Sequence, residues 1–166
     1  MSIIDVSKDL SALFTAQVKK TPDAVALEDE SATYTYAELD SKVAGLSERL
    51  RNHGVGRDSL VGVLLPRGAE FVIACLAILR AGGAFLVLEL AYPADLLADV
   101  IEDANPAVVV TAESEVGKIK EGIPVITLDE KPEETNGTVK ELPPLPADDD
   151  LDRLAFVAYS SGTTGR

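Results

Sequence analysis

The chain has 166 residues, 46% of them hydrophobic, which suffices for one domain with a sizeable core, since domains run from about 50 to 250 residues. Its 28 acidic side chains against 15 basic ones give a formal charge of −13, which repels polyanions and excludes nucleic acid as an expected partner. No stretch approaches the roughly 18 consecutive apolar residues of a spanning helix, the start Met1-Ser2-Ile3-Ile4-Asp5 has no basic region ahead of an apolar one, and the lone Cys75 has no disulfide or metal companion, so the expectation is an untargeted cytoplasmic protein with no membrane partner.

Leu10, Leu13, Phe14 and Val18 recur at helical spacing until Thr21-Pro22, which predicts a first helix over 8–19. Residues 24–27 and 32–35 are strand-like runs around the polar turn Asp29-Glu30-Ser31 and predict a hairpin. Thr35 then stands three residues before Glu38, as in a capping box. The stripe Tyr36, Leu39, Val43, Leu46 and Leu50 ends at Gly54, predicting a helix over 36–53. Downstream, apolar strands alternate with amphipathic helices. The strands are 60–65, 83–88, 107–111 and 125–128, and the helices 69–80, 93–104 and a weaker one near 114–120. Strands without in/out alternation imply a parallel sheet covered on both faces, so the fold class is α/β, built of βα units with helices on both sides. The acidic, proline-rich residues 130–150 read as an exposed connector. A last apolar run, 154–159, is expected to be a rigid interior strand.

That strand runs into Ser160-Ser161-Gly162-Thr163-Thr164-Gly165-Arg166. Two glycines allow close backbone approach, four hydroxyls offer donors, and successive N–H groups can form an anion-binding nest, which suits a polyphosphate. The spacing is neither G-x-x-x-x-G-K-[ST] nor G-x-G-x-x-G. The same composition also serves an ordinary turn, so both readings stand on the residues alone. As a phosphate loop, 160–166 is expected to be mobile without nucleotide.

Three segments occur in a recognisable order: Tyr34-Thr35-Tyr36-Ala37-Glu38-Leu39, then Leu79-Arg80-Ala81-Gly82-Gly83-Ala84-Phe85-Leu86 followed by Tyr92-Pro93, then residues 154–165. By these the chain resembles the adenylate-forming superfamily of acyl-CoA synthetases, luciferases and nonribosomal peptide synthetases, in particular the adenylation domains of the last. The resemblance covers essentially the whole chain. It implies that residues 1–166 are the N-terminal subdomain of an adenylation domain, cut within its phosphate loop. It also implies that Ser160, Ser161, Gly162, Thr163, Thr164 and Gly165 wrap the β- and γ-phosphates of ATP while a small carboxylic or amino acid attacks the α-phosphate. Mg2+ would accompany the ATP, and the acyl group would pass to the phosphopantetheine thiol of a carrier-protein domain. The family's substrate pocket, nucleobase contacts and catalytic lysine would lie beyond Arg166, so no catalytic residue and no metal ligand is assigned here, and the 166 residues alone are expected to be inactive.

The pattern departs after Leu86, where the family continues P-[LI]-D-P and this chain reads Val87-Leu88-Glu89-Leu90. An adenylating reductase, a stand-alone acyl ligase and an inactive binding module therefore remain as alternatives. Other tempting residues read as structure. Gly82-Gly83 suits a tight helix-to-strand turn, Tyr34 and Tyr36 suit packing, and His53 suits a helix C-terminus. Cys75 suits an apolar core, and Asp148, Asp149, Asp150 and Asp152 suit a solvated linker, since the Gly and Glu of a calcium loop are missing.

Overall fold

A computed structural model describes residues 7–129, 142–147 and 149–160. Helix α1 (Leu10–Lys20) starts at Asp9, whose Oδ1 accepts from the Ala12 N–H at 2.8 Å. The antiparallel hairpin β1 (Val25–Glu28) and β2 (Thr33–Thr35) turns on Asp29. One Asp29 oxygen accepts from the backbone and hydroxyl of Ser31 and from Ala32 N–H, and the other accepts from Ala69 N–H, each at 2.7–2.8 Å. The hairpin is thereby tied to the start of α3 (Ala69–Arg80). Helix α2 (Tyr36–Asn52) opens with Thr35 Oγ1 accepting from Glu38 N–H and donating to the Glu38 carboxylate, so the expected cap is present.

Five strands form an all-parallel sheet in the order β6-β5-β3-β4-β7. They are β3 (Leu60–Leu64), β4 (Ala84–Val87), β5 (Val108–Thr111), β6 (Val125–Thr127) and β7 (Phe156–Val157). Helix α4 (Ala94–Ala104) joins β4 to β5, and the weaker helix expected near 114–120 is a 3-10 turn at Glu113–Lys118. The chain reverses its direction of travel across the sheet after β4, so right-handed crossovers put α3 and α4 on opposite faces. The packing follows. Val61, Val63, Val108, Val110 and Ile126 meet α2 and α3, whereas Leu64, Leu86 and Val109 meet Leu97, Val100 and Ile101 of α4.

Helix α3 ends in a Schellman turn. Gly82, at φ +93°, donates to Leu79 O at 3.1 Å, and Gly83 donates to Ile78 O at 3.0 Å. Gly83 also lies against the segment ahead of β3, where an added Cβ would stand 2.9 Å from Ser59 O and 3.0 Å from Val55 Cγ1. The paired glycines are a tight helix-to-strand turn, as their sequence implied.

Among the described residues the run 154–159 is an edge strand, not the interior strand expected: β7 pairs only with β4, and Leu154 and Phe156 are 46% and 60% exposed. An apolar run reports a strand but not its place in the sheet, and here its outer face meets no described layer. Of the expected connector, residues 142–147 are described, and two of its prolines touch the body of the protein. Pro143 packs on Gly56 and its carbonyl accepts from Arg51 at 2.9 Å, while Pro146 packs on Gly82. Residues 130–141 and 148 lie outside the described residues.

Replacing Gly83 with Ala should destabilise the protein by about 1–3 kcal/mol, as overpacking against backbone does, measured by urea unfolding. A change within error would mean that Ser59 yields freely. The Asp29 carboxyl supplies a pH dependence. Hydrogen bonds from Ala69 N–H, then from Ser31 and Ala32, hold it down at about 2. Since the folded value lies below the unfolded one of about 3.9, its stabilisation is present above that pH and is lost as the pH falls towards 2. Asp29→Asn should flatten the acid limb of stability between about pH 4 and pH 2, and an unchanged slope would remove this role.

Candidate functional site

Because β3, β4, β5, β6 and β7 are parallel, their C-terminal ends share one edge, which is where open parallel sheets bind ligands. Strand β7 delivers Ser160 to this edge, and Ser160 is exposed. Of the expected phosphate-binding residues it alone is described. Ser161, Gly162, Thr163, Thr164 and Gly165 lie outside the described residues, as does the expected contrast in mobility.

The approach to Ser160 is built in three parts. The ladder pairs Phe85 with Phe156 and Leu86 with Val157, and the two phenyl rings stack at 5.7 Å. Val157 and Tyr159 turn to the opposite face and pack against the α4 layer, where the Tyr159 hydroxyl donates to the Asp103 carboxylate. At the other end of the strand, a group of charged side chains grips residues 150–154. Arg57 Nε and Nη2 donate to the two oxygens of Asp150 at 2.8 and 3.2 Å. Asp58, in the left-handed region at φ +60°, accepts from Leu154 N–H at 2.7 Å. Arg153 donates to Asp9 Oδ2 through Nε and Nη2, at 3.2 and 2.8 Å, and to Leu79 O through Nη1 at 3.1 Å.

Burial separates these contacts. Arg57 is half exposed, so its pair with Asp150 contributes little, although the guanidinium does hold the Asp150 carboxyl below the usual carboxylate range. The Arg153 and Asp9 side chains are 6% and 13% exposed. Removing one partner of such a pair typically costs about 3–5 kcal/mol because the other charge is left buried. Asp150 is bonded to Arg57 rather than free in a solvated linker, while the weight of the anchor rests on Arg153 and Asp9.

Sequence reasoning missed Asp9, Arg57, Asp58 and Arg153. Asp9 carries a local sign, an aspartate ahead of a helical stripe, but its bond to Arg153 spans 144 positions and leaves no local pattern. At the edge shared with Ser160, Arg67 pairs with Glu89 at 2.7 Å and lies 4.3 Å over the Phe71 ring.

The remaining candidates are structural. His53 caps α2 with Nδ1 2.9 Å from Arg49 O. Burial pushes the Cys75 thiol up to about 12, too high for a nucleophile at neutral pH. Tyr36 packs 6.3 Å from Phe14, and Tyr34 packs against the α2–α3 core. Among the described residues no helix is long and apolar enough to cross a membrane, and no group of three His, Cys, Asp or Glu could hold a metal ion.

The family model for AMP-binding enzymes matches residues 14–166. Glycine betaine reductase ATRR of Emericella nidulans is 72% identical over 166 residues, which are all of this chain and 13% of that protein. Tyrocidine synthase 1 of Brevibacillus parabrevis is 36% identical over 166 residues, with 96% of this chain and 14% of that protein covered. The chain thus spans about an eighth to a seventh of the length of these relatives. Among solved structures, the nonribosomal peptide synthetase FmoA3 bound to α-methyl-L-serine-AMP superposes with a TM-score of 0.78 at 30% identity, over 97% of this chain and 18% of that one. The four-domain peptide synthetase AB3403, bound to AMP and glycine, gives 0.66 at 34% identity over 72% of this chain and 9% of its own. With its five-stranded parallel sheet, its helices on both faces and a Ser-Gly-Thr-Thr-Gly sequence following the edge strand, this chain belongs to the AMP-binding, adenylate-forming enzymes and resembles the adenylation domains of peptide synthetases.

Proposed function

We propose that this chain is the N-terminal part of an ATP-dependent carboxylate-adenylating enzyme in which residues 160–165 hold the ATP phosphates. The observation that carries this reading is the delivery of exposed Ser160 to the C-terminal edge of the sheet, directly ahead of two glycines and further hydroxyls. A carboxylate oxygen of the substrate attacks the α-phosphorus, and the bond from that phosphorus to the bridging oxygen breaks. The products are acyl-AMP and pyrophosphate. Ser160, Ser161, Thr163 and Thr164 offer hydroxyls, and the loop amides offer N–H donors, to the charge that gathers on the departing pyrophosphate. Mg2+ would enter on the ATP phosphates. No carboxylate cluster among the described residues would hold it in the nucleotide's absence.

The parent is best read as an adenylating reductase acting on glycine betaine. Identity to the fungal glycine betaine reductase is twice that to the peptide synthetase from Brevibacillus parabrevis, 72% against 36%. The chemistry agrees, because a carboxylate resists hydride until it is activated, and adenylation supplies that activation. In this reading the acyl group passes to the phosphopantetheine thiol of a carrier domain before it is reduced, and the enzyme works in the cytoplasm, where ATP is available. Residues 1–166 then belong to a single subdomain, with 130–150 connecting β6 to β7 inside it.

Pyrophosphate exchange into ATP tests the reading. The full protein should support exchange with glycine betaine and not with choline, which lacks the carboxylate, whereas residues 1–166 alone should not. Exchange with other acids but not glycine betaine would reject the substrate and leave adenylation standing. Thr163→Ala with Thr164→Ala should lower exchange by a factor on the order of 10²–10³ per donor lost. Unchanged turnover and ATP affinity in that double variant would reject the phosphate-loop assignment.

A further inference from the structure

Strand β7 pairs with β4 over only two residues, too short a ladder to define its own register. Yet register decides where the following loop stands. A slip of one residue moves the chain by about 3.3 Å and turns every side chain to the other face. Donors must come within about 2.7–3.1 Å of a phosphate oxygen, so such a slip would remove the contact. The Phe85–Phe156 stack and the packing of Val157 and Tyr159 on the α4 layer help to fix it, and the contacts that hold residues 150–154 add a further constraint. Residues 150–154 lie at the sheet's opposite edge, beside the turns that precede β3 and β4, and there the segment is held from several sides.

Arg153 is the deepest of these contacts. Its planar fork reaches two elements at once, the Asp9 carboxylate at the start of α1 and the Leu79 carbonyl in the last turn of α3. Lysine could supply the charge but not the fork. Asp9 is itself fixed by the Ala12 amide. The guanidinium is thus located by two helices, and it stands three residues before Phe156 and seven before Ser160.

We propose that Arg153 is a positioning residue for nucleotide binding: locked between Asp9 and the end of α3, it helps to hold the register of β7 on β4 and so the point at which Ser160 leads from the sheet towards the ATP phosphates. This rests on the phosphate-loop reading above. Arg153 touches no substrate and acts through the strand. Its loss should therefore weaken contacts to phosphate and leave contacts to nucleoside alone.

The test is calorimetric titration of the full protein with AMPPNP and with adenosine, alongside Tm. Arg153→Met leaves Asp9 buried without its partner and lowers Tm as well as cutting the tether. Pairing it with Asp9→Asn removes the orphaned charge, retains a residue able to cap α1, and should bring Tm back towards the parent value. In both variants the Kd for AMPPNP should rise about tenfold or more, as misplacement by an ångström or so does, while the Kd for adenosine stays unchanged. Arg153→Lys should recover only part of the AMPPNP affinity. Recovery of AMPPNP affinity together with Tm in the double variant would overturn the proposal, and so would equal weakening of AMPPNP and adenosine. Thr163→Ala with Thr164→Ala separates the two claims. If it weakens AMPPNP while both Arg153 variants bind normally, the positioning role alone fails. If it leaves AMPPNP unaffected, the phosphate-loop reading fails and the positioning role with it.

Discussion

Strand β3 is the constraint from which the rest of the molecule is placed. It is hydrogen-bonded along both edges, to β4 and to β5, and covered on both faces, so every one of its backbone polar groups must find its partner in the ladder. Val61 and Val63 fill the α2–α3 side and Leu64 the α4 side, each burial contributing about 1.5–3 kcal/mol. Between them Gly62 is closely packed, since a Cβ there would lie 3.0 Å from Leu88 Cδ1 and 3.1 Å from Val109 Cγ2 and would require both side chains to shift. A strand enclosed in this way leaves the helices one choice of face each, and it fixes which edge of the sheet gathers the strand C-termini.

Burial places only one face of β7 among the described residues: Val157 and Tyr159 meet the α4 layer, while Leu154 and Phe156 are largely exposed. Directional bonds take over where burial fails. A chain with 28 acidic residues has carboxylates to spare, and three of its arginines are spent on contacts between elements close to the first helix and the strand's base. Arg153 joins residue 9 to the end of α3, Arg57 holds residue 150, and Arg80 links α3 to Asp40 of α2 at 2.6 Å while lying over the Phe14 ring of α1. Their value is set by exposure, and by that measure Arg153 leads.

What the sequence disclosed follows the same division. Elements placed by burial were legible, because periodicity is the imprint of burial. The stripe from Leu39 to Leu50, the continuous runs of β3 and β5, and the glycines ending α2 and α3 all gave the correct element. The parallel α/β class followed from them. Elements placed by bonds between distant residues were not legible. Nothing around Asp9 announces Arg153, nothing around Asp58 announces the Leu154 amide, and the acidic run near 150 looks solvated until Arg57 is seen beside it. The place of 154–159 in the sheet was not legible for a related reason: an apolar run records that something covers a strand but not what covers it. For the candidate site, the composition of residues 160–165 was legible and the apparatus behind them was not.

The departure at residues 87–90 is resolved by the same reasoning. Where the peptide-synthetase pattern has prolines, this chain has Val87 and Leu90, and the sheet uses both. Val87 is the last residue of β4, in register with Val63, and Leu90 packs at the rim of the α4 layer together with Tyr92. The next residue along, Leu88, is fully buried and donates to Val63 O at 3.0 Å, so the strand's bonding extends one step past its assigned end. Glu89 points to solvent and pairs with Arg67, an exposed contact of small energetic weight. Proline stiffens such a turn through its fixed φ, whereas here burial of Leu88 and Leu90 holds the chain instead. The substitution exchanges one means of fixing the strand end for another and leaves the edge that receives Ser160 intact. The change at 87–90 therefore leaves the parallel sheet of this AMP-binding chain in place.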